Sequence, residues 1–214
     1  MATTIPGVPG NDVIIIDESD AGKIDVVELP NAEVTEVAVN SPVKDLQLGV
    51  SGDNAMAIAG ARLKSAKITN EAPDGETAKV TLAVTKAAKL EFVTTTKAAT
   101  DLSVAEGKFL NSSVTTAKGI ADDSISFGAS STVKGAFIST GKGSDTVTFS
   151  GRMKGKTTVE SGKGRDLIEV NSKDRGKGKL VLSDFNKKDT LVVGDETITT
   201  KNLDDAPNWV KFEA

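Results

Sequence analysis

Thr140-Gly141-Lys142-Gly143-Ser144-Asp145-Thr146-Val147-Thr148-Phe149 is answered one repeat later by Ser161-Gly162-Lys163-Gly164-Arg165-Asp166-Leu167-Ile168-Glu169-Val170. Each unit is a glycine-bearing corner, then an aspartate, then a run in which apolar and polar residues alternate. Gly, Ser and Asp are turn formers, and the period of two belongs to a strand with one buried face. A unit returning at a fixed interval lays each coil of chain on the one before it, so the object to read is a ladder of corners.

Working outward, the acids Asp12, Glu33, Asp53, Glu76, Asp101, Asp123, Asp145, Asp166 and Asp189 recur at about 22-residue intervals, most of them just ahead of a short alternating run. A second set of β-forming runs lies between those, from Ile24–Leu29 and Asp45–Leu48 to Thr157–Glu160 and Lys179–Leu182. Two strands per coil follow, and about eight coils. The fold class expected is all-β: a parallel β-solenoid or β-roll over residues 13–194, on the order of 40 Å long at the usual strand spacing. Residues 1–12 read as an extended arm and residues 195–214 as a cap or partner-docking tail. The expected core is Ile14, Val26, Ile58, Ile68, Val80, Leu90, Leu102, Ile125, Phe127, Phe137, Val147, Phe149, Val159, Ile168 and Val181.

Composition narrows the chemistry. The 214 residues include no Cys, no His, no Tyr and one Trp, with 4% aromatics. A thin solenoid interior takes Val, Ile, Ala and Leu in preference to large rings. Without cysteine there is no disulfide framework and no thiolate metal site. Without histidine the commonest general base near neutral pH, the commonest transition-metal ligand and every imidazole triad are missing. Adjacent acids such as Asp122–Asp123 and Asp204–Asp205 sit in turns with nothing to mark a cleft around them, and the reading is non-enzymatic. A β-helical saccharide-active protein is a third class, which would bind saccharide along one face. An ice-binding reading of the Thr-rich strands meets no regular Thr-x-Thr row in every coil.

The first ten residues, MATTIPGVPG, have neither the basic start nor the apolar length of an export signal, and no segment is long enough to span a bilayer. The expectation is a soluble chain without membrane insertion. Charge is uneven: residues 1–60 carry ten acids against Lys23 and Lys44, while residues 118–188 carry fourteen basic residues against eight acids. Opposite signs at head and body favour contacts between copies or docking on an acidic surface, and the plain alternative is a pair of solvated faces. The basic residues lie in Gly-rich turns with no interleaved aromatics, which argues against nucleic acid. Pro6 and Pro9 in the arm, and Trp209 and Phe212 in the tail, are the candidate partner-binding residues. Trp209 reads first as core of the cap and second as an anchor in a partner's groove.

The corners Gly119-Ile120-Ala121-Asp122-Asp123, Gly141–Asp145 and Gly162–Asp166 resemble degenerate glycine-rich nonapeptides of the hemolysin-type calcium-binding (RTX) family. Leu182-Ser183-Asp184-Phe185-Asn186-Lys187-Lys188-Asp189 is similar to the Asp-Phe segment that often closes such regions. The likeness covers about residues 118–194. It implies a β-roll in which Asp123, Asp145 and Asp166, with Gly141, Gly143, Gly162 and Gly164, enclose calcium between stacked turns. The chain departs from the family pattern: Thr140 and Ser161 stand where the first glycine belongs, Ala121 replaces another, and Lys142, Lys163 and Arg165 bring positive charge to the site. A reading without a cofactor stands beside this one, in which each Asp caps its turn by accepting backbone N–H bonds.

The function expected is a structural component of a larger assembly. It reads as a phage or virus particle accessory protein, such as a capsid decoration, knob or tail appendage, located in the virion and partnered by copies of itself or by a capsid or tail protein. The alternative is an exported, extracellular or cell-surface RTX-like module of a surface layer, adhesin or matrix, folded by calcium.

Overall fold

A computed structural model describes residues 3–4, 12–16, 24–26, 34–40, 42–43, 46–50, 55–116, 120–171 and 176–213. Pro6, Pro9, Glu33 and Asp53, and the side chains of Ile14 and Val26, lie outside the described residues.

The two strand sets become two sheets. Asp12–Ile16, Val34–Val39, Ala55–Leu63, Thr77–Ala88, Ala99–Leu110, Ser124–Lys134, Thr146–Phe149, Leu167–Val170 and Thr190–Val193 stack in sequence order within an 11-stranded sheet. Thr3–Thr4, Ile24–Val26, Leu46–Val50, Ala66–Asn70, Leu90–Thr94, Ser113–Thr115, Phe137–Ser139, Lys156–Glu160, Lys179–Leu182 and Val210–Phe212 form the other, of 10 strands. Every neighbour pairing within these two series is parallel. The chain is a parallel β-solenoid, with a coil count close to the one expected.

Alternation decides what goes inside. In Ser124–Lys134 the burial falls on Ile125 and Phe127 while Ser124 and Ser126 face outward, and the paired strand Thr146–Phe149 buries Val147 and Phe149 in the same register. Inward residues of both sheets form one continuous cluster. Phe109, Phe127 and Phe149 make an aromatic column within it: Phe109 meets Phe127 edge-on at 5.3 Å, and Phe127 stacks on Phe149 at 5.2 Å. Offset and edge contacts of this kind add to the burial of the rings.

One core expectation is corrected and one is refined. Phe137 is 37% exposed and its neighbour Ile138 is fully buried. Ala136 enters the interior just after the corner, so the next inward position is Ile138; with a period of two, a phase error of one residue exchanges the faces. Val181 is buried, but its flanking residues Leu180 and Leu182 are the members of the interior cluster.

The two halves are shaped differently. Thr77–Ala88, Ala99–Leu110 and Ser124–Lys134 are long strands, with register shifts near Val104 and Glu106. In later coils the corresponding path is broken: Ser124–Lys134 pairs first with Thr146–Phe149 and then with the separate strand Arg152–Lys154. Gly151 sits at the break, where a Cβ would stand 2.4 Å from the Ser131 carbonyl and 2.5 Å from that of Gly128. No other residue fits there without moving the coil below.

At the end of the chain Glu196–Ile198 turns back antiparallel onto Thr190–Val193, and Val210–Phe212 joins Lys179–Leu182 in parallel. Ile198 is buried, and Leu203, Ala206, Trp209, Val210 and Phe212 pack against the core. No helix of the described residues is long and apolar enough to cross a membrane.

Candidate functional site: the stacked aspartate corner

Where a strand of the 10-stranded sheet passes to the next strand of the 11-stranded sheet, the chain turns through the glycine-bearing corners. The registers Ser124↔Thr146, Thr146↔Leu167 and Leu167↔Thr190 place Asp123, Asp145, Asp166 and Asp189 one above another. All four are buried, at 1–3% exposure.

Their carboxylates turn along the solenoid axis. Oδ1 of Asp123 accepts the Thr100 N–H at 2.7 Å, Asp145 that of Asp123 at 2.8 Å, Asp166 that of Asp145 at 3.0 Å, and Asp189 that of Asp166 at 3.3 Å. Each aspartate thus holds the backbone donor of the coil before it. Hydrogen bonds of this type satisfy buried backbone donors and tie successive coils where the sheets do not reach.

The column is shorter than the acidic register of the sequence implies. Asp101 pairs with Ser124, one position past Asp123, and is exposed; the column residue of that coil is Thr100. Glu76 falls two positions before Ala78, the residue that pairs with Thr100. Periodicity alone located the turns but not the side of the strand on which each acid falls.

A second column, which sequence reading missed, flanks the first. Thr94, Thr116, Thr140, Ser161 and Asp184 open the corners that Thr100, Asp123, Asp145, Asp166 and Asp189 close. Asp184 receives the Ser161 and Gly162 N–H groups at 3.0 and 2.7 Å. Thr140 and Ser161 counted in the sequence only as departures from a glycine pattern. The signal available there was the recurrence of Thr140, Ser161 and Asp184 five residues ahead of Asp145, Asp166 and Asp189, with Thr116 seven ahead of Asp123.

Hydroxyl hydrogens decide the state of the carboxyls. Thr140 Oγ1 donates to the Ser161 carbonyl at 3.1 Å, and Thr116 Oγ1 stands 3.2 Å from the Thr140 carbonyl and 2.6 Å from Asp123 Oδ2. One hydroxyl hydrogen cannot serve both acceptors of Thr116. Thr116 Oγ1 donates to Asp123 Oδ2 when that carboxyl is ionised, and turns to the Thr140 carbonyl when the carboxyl carries the proton itself. Asp145 Oδ2 and Asp166 Oδ2 are buried without any partner, the environment in which a carboxyl keeps its proton. Burial pushes Asp123 up to about 7, against the pull of the Thr116 and Thr100 donors, with repulsion from Asp145 and Asp122 adding to the rise. Burial likewise raises Asp166 to about 6, and it raises Asp145 and Asp189.

The glycines fix how closely the turns stack. Lys142–Gly143 and Lys163–Gly164 pair in parallel as a small third sheet, and the Lys163 N–H reaches the Gly141 carbonyl at 2.7 Å. A Cβ on Gly162 would lie 1.8 Å from the Gly141 carbonyl, and one on Gly164 would lie 1.5 Å from that of Gly143. The turns are in main-chain contact, and only glycine permits it.

Calcium requires six to eight oxygens around one point. Here the Oδ1 atoms face N–H donors, the Gly141 carbonyl accepts a hydrogen bond, and the Lys142, Lys163 and Arg165 side chains are exposed on the outside of the turns. No group of three or more acidic side chains suited to a metal occurs among the described residues. The donor set fits a proton shared between a carboxyl and a hydroxyl.

Comparison with known protein families, with curated proteins and with solved structures finds no match to this chain. Of the candidate partner-binding residues, Trp209 and Phe212 are half-buried in the tail against the core, with the Phe212 ring 5.1 Å from that of Phe185.

Proposed function

We propose that the chain is a non-enzymatic structural β-solenoid, one component of a larger assembly, and that the assembly is a phage or virus particle bearing it as a decoration, knob or tail appendage. The observation that carries the structural role is the inward use of the acidic column. Aspartates that hold the neighbouring coil's N–H groups tie coil to coil, a structural use of the acidic column. The ends fit the same role. The tail pairs with both sheets at one end, whereas at the other the strands Thr3–Thr4 and Asp12–Ile16 each have a neighbour on one side only among the described residues. An open strand edge is where a further chain adds. Assembly inside a cell, where free calcium is scarce, requires a chain that folds without it.

Far-UV circular dichroism and thermal melting of the purified chain, in excess chelator and then in millimolar calcium, test this reading. A β-rich spectrum with one cooperative melt at the same temperature in both is the expected result. A chain that is disordered until calcium is added overturns it in favour of the exported RTX-like module.

A further inference from the structure

The opposite corner carries cations in register over five successive coils of the described residues. On the outer face of the 11-stranded sheet, Arg62 pairs with Lys86, Lys86 with Lys108, Lys108 with Thr132 and Thr132 with Arg152. Two residues further along the same strands, Lys134 pairs with Lys154. All six of these basic residues reach solvent, five of them exposed and Lys86 in part. At roughly 4.8 Å per coil the row from Arg62 to Arg152 runs about 19 Å along the solenoid.

This arrangement is costly for folding. Like charges directly opposite one another on a sheet repel. Single pairs of this kind, Lys142 with Lys163 and Lys156 with Lys179, occur elsewhere, and at other positions the sign alternates. Lys67 faces Glu91 at 3.3 Å, and Lys79 faces Asp101 in register. In the basic row none of the six side chains is in an ion pair among the described residues. A charge pattern that opposes folding and is kept on the surface points to an anionic partner.

We infer that this ridge binds a linear acidic polysaccharide, one carrying carboxylate or sulfate groups along an extended chain. The ridge is a straight outer edge with one cation or more per coil, except where Thr132 interrupts its first row. It suits a polymer whose anions repeat at similar short intervals, and binding gains from release of the polymer's counterions. Aromatic platforms for bases are missing: Phe109, beside Lys108, is fully buried. Nucleic acid is the poorer fit. The inference does not depend on the particle in which the chain serves.

Fluorescence anisotropy of labelled polygalacturonate, titrated with the full chain at low and high salt, tests it, with neutral dextran as the blank. The parent chain should bind polygalacturonate and not dextran, more weakly as salt rises. Lys134→Glu with Lys154→Glu should weaken binding by about tenfold or more, while Lys187→Glu with Lys188→Glu, the same charge change at the aspartate corner, should alter it less than about twofold. Unchanged melting of both double variants confirms that each is folded. No binding by the parent, or equal losses in the two double variants, overturns the inference. So does equally tight binding of an oligothymidylate. Sedimentation at rising concentration covers the remaining occupant: self-association present in the parent and lost in the ridge variant would assign the ridge to a second copy of the chain.

Discussion

The corner built from Asn70, Thr94 and Thr100 and the corner built from Asp123, Asp145 and Asp166 lie on the same side of the solenoid and solve the same problem in different ways. Both must satisfy buried backbone donors where the chain leaves one sheet for the other. In the earlier coils neutral groups do it: Asn70 Nδ2 donates to Thr100 Oγ1 at 3.0 Å, the Thr94 and Thr100 hydroxyls lie 2.9 Å apart, and Asn70 Oδ1 accepts the Ala72 N–H at 2.9 Å. In the later coils carboxyls do it, inside turns held tight by glycine. Gly75, in the earlier turn, has open space around the place a Cβ would occupy, whereas Gly162 and Gly164 have a carbonyl oxygen there. The buried neutral groups of the earlier corner tolerate a loose turn and carry no buried charge; the buried acidic corners demand a close one and titrate.

The strongest way to break the comparison is to separate the two regions. Phe127 joins them, touching Phe109 on one side and Phe149 on the other. Phe127→Ala should cost about 4 kcal/mol and split one thermal transition into two in calorimetry. A single transition with unchanged midpoint would mean that the halves are not coupled through this column.

Next in size, Gly164→Ala drives a methyl group into the Gly143 carbonyl and should cost about 3 kcal/mol. Gly75→Ala pays only for its left-handed backbone, φ 91°, about 1 kcal/mol. Denaturant midpoints of the two variants measure the difference, and equal losses would show that the turns are not in contact.

The pH response sharpens the contrast further. A carboxyl whose value rises from 3.8 to about 7 on folding binds more protons in the folded chain than in the unfolded one across that interval. Stability contributed by Asp123 is therefore greatest below about pH 4, declines as the pH rises, and levels off above about pH 7. The melting temperature should fall between about pH 5 and about pH 7, by the equivalent of roughly 2 kcal/mol. Asp123→Asn keeps an acceptor for Thr100 and a donor for Thr116, and should flatten that slope. A parent melting temperature that rises over the same range would refute protonation of the column. Smallest of all, Lys67→Ala removes an exposed ion pair with Glu91 and should change stability by less than about 0.5 kcal/mol in the same melts.

Much of the architecture was legible in the sequence because a solenoid writes its plan locally. Alternation in Thr146–Phe149 and Leu167–Val170 states which side chains enter the interior, and the glycine corners state where the chain turns. Phase errors arose where size outweighed position, as at Phe137 and Ile138. The candidate site was half legible. Asp123, Asp145 and Asp166 were marked by the repeat, but the hydroxyls of Thr116 and Thr140 acquire meaning only when the next coil is laid against them.

The sequence by itself determined the period, the two strand sets and the placement of turns, because these depend on residues adjacent in the chain and on the two-residue geometry of a strand. Tertiary structure alone decided that Asp101 stands outside the column while Asp123 stands in it, that the carboxylates face N–H groups, and that Arg62, Lys86, Lys108 and Arg152 form a single row. Those facts depend on which residues of successive coils face one another. That register is fixed by packing across the whole interior and is not written in any one repeat.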